Sequence, residues 1–177
     1  MNDSAAPLDG ATGKRSHVVG AAMAKVGLAA PVTSQLLITG CGYYPRASGH
    51  GQSRPGGAPQ AVVLLCSQGQ GWAEVGGTRH RIGPRQALLL PRHQPHSYGA
   101  DEFDPWTIWW LHLDGEQVPH LLRACGVTRQ RPVVPVAALA RCTALVAEVI
   151  DAVEADQTLA GLRAASGAAW HLLTSLA

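Results

Sequence analysis

Residues Gln68–Tyr98 read QGQGWAEVGGTRHRIGPRQALLLPRHQPHSY. Gly71–Val75 and Thr78–Ile82 are short strands on either side of Gly76-Gly77. A two-residue Gly-Gly link signals a hairpin, because a type I′ turn needs positive φ at both central positions. Gln86–Leu90 is a further strand, buried and stopped by Pro91, and a turn punctuated by Pro and His follows as far as Tyr98. Short strands at this spacing predict a small barrel or sandwich rather than a parallel α/β sheet. A barrel of that size can hold one small ligand inside.

Working outward, Gln35–Cys41 is a candidate strand and Tyr43–Pro59, rich in Gly and Pro, reads as loop. Gln60–Ser67 is a continuous apolar run, the pattern of a strand covered on both faces. Trp106–Leu113 is the last strand, ended by Asp114-Gly115. Its alternation puts Trp106, Ile108, Trp110 and His112 on one face and Thr107, Trp109, Leu111 and Leu113 on the other. Residues 1–34, rich in Ala, Gly and Ser, read as a flexible arm with at most a helical turn near Val18–Val26. Residues 35–114 form the β unit and residues 115–177 the helical unit. In the latter, Glu116–Cys125 is a short helix stopped by Gly126, and Pro135 is suited to open a longer helix reaching about Glu154. A second long helix starts near Thr158, with Leu162, Ala169, Leu172, Leu173 and Leu176 on one stripe. It runs to the end of the chain without a C-cap glycine, which reads as a polypeptide that continues in the native protein. The expected fold is mainly β, a barrel followed by an antiparallel pair of helices.

The 177 residues suit one domain, and 46% of them are apolar, a globular composition. A formal charge of +2 leaves no basic footprint for nucleic acid. Cys41, Cys66, Cys125 and Cys142 form no C-x-x-C pair, so they read as reduced, buried thiols of a cytoplasmic protein. Lys25 interrupts the apolar run after Lys14-Arg15, against an export signal. No run is long enough to span a membrane as a helix.

The chain from Cys41 to Leu113, and the helix pair after it, resembles the cupin-like ligand-binding half of AraC-type transcription regulators. Gly42-Tyr43-Tyr44-Pro45, Ser53-Arg54-Pro55, Gly69-Gln70-Gly71, the run from Pro91 through Pro95-His96-x-Tyr98-Gly99, and Trp106-x-x-x-Trp110 carry the likeness. The resemblance implies a jelly-roll barrel that binds a small effector, often a sugar, and a helical appendage that forms a homodimer. It also implies DNA reading by a C-terminal pair of helix-turn-helix units, which these residues do not contain.

The same likeness implies the site. Arg54 matches an arginine that reaches into the pocket, where its fork of donors suits vicinal hydroxyls or a carboxylate. The competing reading is a surface arginine paired with an acid. Trp110 matches a tryptophan on which a sugar ring stacks; the plainer reading is core. Tyr98, with His96 at the same parity, is either a ligand contact or an anchor of the turn. Thr39 lies near a polar pocket position on the first strand. Ile108 stands where the arabinose-binding member has a histidine, and an unpaired buried sugar hydroxyl costs on the order of 1–3 kcal/mol, so arabinose itself is not implied. Two turn glycines of the family are replaced, at Arg85 and His93.

Many cupins hold a metal, so a small metal-dependent cupin enzyme is the alternative, with a stand-alone carbohydrate-binding module behind it. Metal cupins resemble one another in an early His-x-His with a following Glu; here His50 stands alone, and only His96 matches the later histidine. His93-x-x-His96 lies in a turn with Pro95. No nucleophile–base or paired-carboxylate arrangement is legible. The expectation is therefore no metal, no cofactor and no catalysis.

Overall fold

A computed structural model describes residues 13–177. In chain order these residues form β1 (Arg15–Val18), α1 (Ala21–Ala29), β2 (Leu37–Tyr44), β3 (Gly51–Arg54), β4 (Ala61–Gln68), β5 (Gly71–Val75) and β6 (Thr78–Ile82). There follow β7 (Gln86–Leu90), β8 (His96–Ala100), β9 (Thr107–Asp114), α2 (Val118–Ala124), β10 (Val133–Pro135), α3 (Leu139–Ala155) and α4 (Leu159–Leu176). Two antiparallel sheets result, in the order β1-β2-β9-β4-β7-β10 and β3-β8-β5-β6.

The six-stranded sheet is covered on both sides, and strand alternation allocates its residues between two cores. Val62, Leu64 and Cys66 of β4, Leu88 and Leu90 of β7, and Ile108 and Trp110 of β9 face the smaller sheet and fill the barrel. Val63 and Leu65, Ala87 and Leu89, and Leu111 and Leu113 point the other way, toward the helices. That is why AVVLLC in β4 is apolar without alternation: all six residues are buried.

Helical spacing supplies the cover. Cys142, Leu145, Val146, Val149, Ile150 and Val153 form the buried face of α3, and Leu162, Ala165, Ser166, Ala169, Leu172 and Leu173 that of α4. Each buried Leu, Ile or Val contributes about 1.5–3 kcal/mol of transfer free energy, so this layer is a principal stabiliser of the sheet it covers. Thr158 caps α4, its hydroxyl accepting from the Ala160 N–H at 3.2 Å.

The hairpin at Gly76-Gly77 has φ of 59° and 79° at the two glycines, as its turn requires. Several expectations need correction. Residues 15–34, read as flexible arm, carry β1 and α1; residues 1–12 of that arm lie outside the described residues. β1 is only four residues long, and its pairing with β2 is a backbone interaction that RSHV does not advertise. Arg15 also reaches Asp151, at 2.7 Å, and Glu154 of α3. The α1 sequence shows no apolar stripe because a glycine makes its closest approach: a Cβ on Gly27 would lie 2.9 Å from Leu37 Cδ1. The segment read as loop over Tyr43–Pro59 contains β3, and the Pro/His turn runs straight into β8. Pro135 does not open a helix but ends β10, which pairs with β7; α3 begins at Leu139.

Arg85 and His93, where the resemblance implies glycine, have a glycine-like backbone, with φ of 63° and 58°. Arg85 is held there by a hydrogen bond from its guanidinium to the Ala137 carbonyl. His93 is exposed, and among the described residues its side chain makes no hydrogen bond. Left-handed backbone costs an L-residue about 1–2 kcal/mol, partly offset against glycine by chain entropy of about 0.5–1 kcal/mol. His93→Gly is expected to stabilise the protein by roughly 0.5 kcal/mol, read as a higher urea midpoint at unchanged slope; a lower midpoint would show the imidazole to be a structural contact.

Candidate functional site

The barrel interior opens into a cavity lined by Tyr44, His50, Gln52, Arg54, Leu64, Tyr98, Trp110 and His112, with about 370 Å³ of empty space, part of it open to solvent. The lining follows from strand register. On the smaller sheet Gln52 lies opposite Tyr98 and Arg54 opposite His96. On the larger sheet Trp110 lies between Gly42 of β2 and Leu64 of β4.

The two glycines of β2 set the position of Trp110. A Cβ on Gly42 would lie 2.6 Å from Trp110 Nε1, and one on Gly40 would lie 3.3 Å from Trp110 Cζ3. The indole therefore rests directly on the β2 backbone. Around it, Tyr44 lies 5.7 Å and His112 5.1 Å away, centroid to centroid. His50 bridges to Tyr44 at 5.2 Å and to Tyr98 at 5.9 Å. Such separations are those of aromatic packing, so the wall is a continuous aromatic surface.

Burial controls the charge of this wall. It pushes the His50 imidazole down to about 4, with the Lys14 ammonium adding to the effect. His112 is likewise held down to about 4, by burial first and then by Arg54 and His96. The Tyr98 phenol is pushed up to about 12 by burial, against the opposing pull of Arg54. At neutral pH both imidazoles and the phenol are uncharged. Arg54 keeps its charge, and its Nε is buried with no hydrogen-bond partner among the described residues.

The structure brings Arg54, Tyr98 and Trp110 together in one cavity. His96 stands behind Tyr98, the rings parallel at 5.8 Å, and borders a separate outer groove with Ser53 and Glu74. Its Nδ1 donates to the Gln94 carbonyl at 2.6 Å, so Nε2 carries a lone pair, buried and unpartnered. Two expected positions are corrected. Ile108 is fully buried between the sheets and does not line the cavity, because it lies one interior step deeper than Trp110. Thr39 sits at a bulge in β2 and turns its hydroxyl to the His112 carbonyl at 3.3 Å. Sequence reasoning left Tyr44, His50, Gln52, Leu64 and His112 out of the site. Gln52 shares a face with Arg54 once β3 is seen to be a strand, and Tyr44 shares one with Gly40 and Gly42. Among the described residues no group of three or more His, Cys, Asp or Glu is placed to hold a metal ion.

The cavity lies inside two facing antiparallel sheets and is walled by aromatic rings and one arginine, which defines a two-sheet antiparallel β-barrel with an internal chamber. The AraC-like ligand binding domain model matches residues 38–173, and the chain belongs to that family. It is 35% identical over 100 residues to the MmsAB operon regulatory protein of Pseudomonas aeruginosa, the match covering 54% of this chain and 32% of that protein. It is 25% identical over 68 residues to the lactose operon transcription activator of Staphylococcus xylosus, covering 38% and 24%. The matches thus span about a third or less of the length of these curated relatives. Among solved structures, a cupin 2 conserved barrel domain protein from Leptotrichia buccalis is similar at 18% identity and a TM-score of 0.38, over 57% of this chain and 41% of that one. Among the described residues no helix is long and apolar enough to cross a membrane.

Two outcomes test this site. Gly42→Ala places a methyl group 2.5 Å from the Arg15 carbonyl and 2.6 Å from the indole. It is expected to destabilise by about 1–3 kcal/mol and to alter Trp110 fluorescence, whereas Gly56→Ala, with open space around its Cβ, changes neither. The second outcome concerns pH. His50 and His112 bind protons less readily folded than unfolded, so the stability they confer is complete above about pH 6.5 and is lost as pH falls toward about 4. The urea midpoint should fall across that window, and His112→Gln should flatten the slope.

Proposed function

We propose that this chain is the effector-sensing and dimerisation part of an AraC-type transcription regulator. A small molecule, a carbohydrate in its simplest form, binds in the barrel cavity and controls DNA binding by a helix-turn-helix domain outside these residues. The observation that carries this reading is the aromatic and arginine-lined cavity within a domain of a ligand-binding family. The names of the curated relatives, an operon regulatory protein and a transcription activator, agree with a regulator in the cytoplasm rather than an enzyme.

The N-terminal segment gives such a sensor a path outward. Lys14 Nζ lies 4.3 Å from the centroid of the Tyr44 ring, and the Tyr44 hydroxyl donates to Ser16 Oγ at 3.2 Å. A ligand that prefers one arrangement of Tyr44 biases the segment entering β1, which is a population shift.

Dimerisation then uses a face of α4 other than its apolar stripe. Leu162, Ala169, Leu172 and Leu173 are covered within the protomer. The face of α4 left for a partner carries Arg163, Gly167, Trp170 and His171, with the Trp170 indole 39% exposed.

Thermal-shift screening against mono- and oligosaccharides is expected to find compounds that raise the melting temperature, since a ligand of the folded state adds its binding free energy to stability. For such a compound Trp110→Ala should weaken affinity by roughly tenfold or more. Unchanged affinity in that variant would remove the stacking role.

A further inference from the structure

We propose that the effector is an anion: a small hydroxylated carboxylic acid whose carboxylate pairs with Arg54 and whose carbon face lies over Trp110. This inference rests on the cavity being the effector site and goes further, to the charge of what fills it.

The sign of the cavity is set by what surrounds it. Arg54 is the one lining residue with a permanent charge. Lys14 adds a second cation beside Tyr44 at the rim. Among the described residues neither makes an ion pair, while three arginine–carboxylate pairs are formed elsewhere, two of them joining β1 to α3. The ionisable groups that bear on His50, His96, Tyr98 and His112 are Lys14, Arg54, Tyr44 and His96, with no carboxylate among them. The cavity is therefore a positive field in a half-enclosed, weakly screened space.

Hydrogen bonding points the same way. The Arg54 Nε–H is a buried donor with no acceptor, and a guanidinium can only donate. The planar fork of an arginine matches the two oxygens of a carboxylate, which only accept. A neutral sugar offers hydroxyls but leaves the guanidinium charge uncompensated, and binding it strips water from that charge. The remaining polar groups, Gln52, Tyr98 and His50, can each donate and accept, which suits hydroxyls on the same molecule. Leu64 and Trp110 complete an apolar side.

Calorimetric titration of the full chain at fixed ionic strength tests this with matched probes: D-galacturonate against D-galactose, and lactate against lactamide. The acids are expected to bind at least tenfold more tightly than their neutral partners, with a preference that shrinks as salt rises. Arg54→Gln should weaken the acids by roughly tenfold to a hundredfold and so close most of the gap between each acid and its neutral partner. Arg54→Lys, which keeps the charge and loses the fork, should fall between, and circular dichroism should show both variants folded. Galactose or lactamide binding as tightly as its acid, or an acid preference that survives in folded Arg54→Gln, overturns the anionic effector and leaves the effector cavity standing. No saturable response to any of the four probes overturns both.

Discussion

The six-stranded sheet has no solvent face in its centre, and the rest of the structure depends on that constraint. β4 and β9 divide their side chains between a barrel interior and a layer of helices, so each strand is read twice. A one-residue slip of β9 would exchange Trp110 for Leu111 and send the site into the helical core. The helices thus support the cavity in an energetic sense. The apolar faces of α3 and α4 fix the parity of β9, and parity alone decides that Trp110 and His112 look into the cavity.

How much of this is legible in the sequence depends on whether local chemistry or partner strands determine the element. Gly76-Gly77, the AVVLLC run of β4 and the spacing of Leu145, Val149 and Val153 declare themselves, because turn geometry and burial leave a local signature. β1, β3 and β10 do not. Each is three or four residues long, and each exists because a neighbouring strand offers a free edge. The site divides in the same way. Arg54, Tyr98 and Trp110 are found through motif likeness and alternation, whereas Tyr44 and Gln52 depend on strands or registers that only the assembled sheets supply. Ile108 shows the limit of face alone: it shares the face of Trp110 but is fully buried and does not line the cavity.

The cavity departs from the rules that hold for the core. Ordinary buried polar groups are paired, yet Arg54 Nε and His50 Nδ1 are buried here without partners. The two lining imidazoles are kept neutral by burial. Sequence-level consistency is relaxed where function needs it, and elsewhere Arg85 and His93 retain a backbone shape that glycine would adopt more readily.

Gly40 and Gly42 have a consequence of their own. The floor beneath Trp110 is bare main chain, so the depth of the cavity is encoded by two missing methyl groups rather than by any side chain that could be seen to touch a ligand. Volume can then be tuned from behind the indole. Adding carbon to β2 lifts the ring and makes the chamber shallower, while every residue exposed to the cavity keeps its identity. Specificity among related sensors can accordingly diverge at positions that a comparison of cavity-lining residues would pass over.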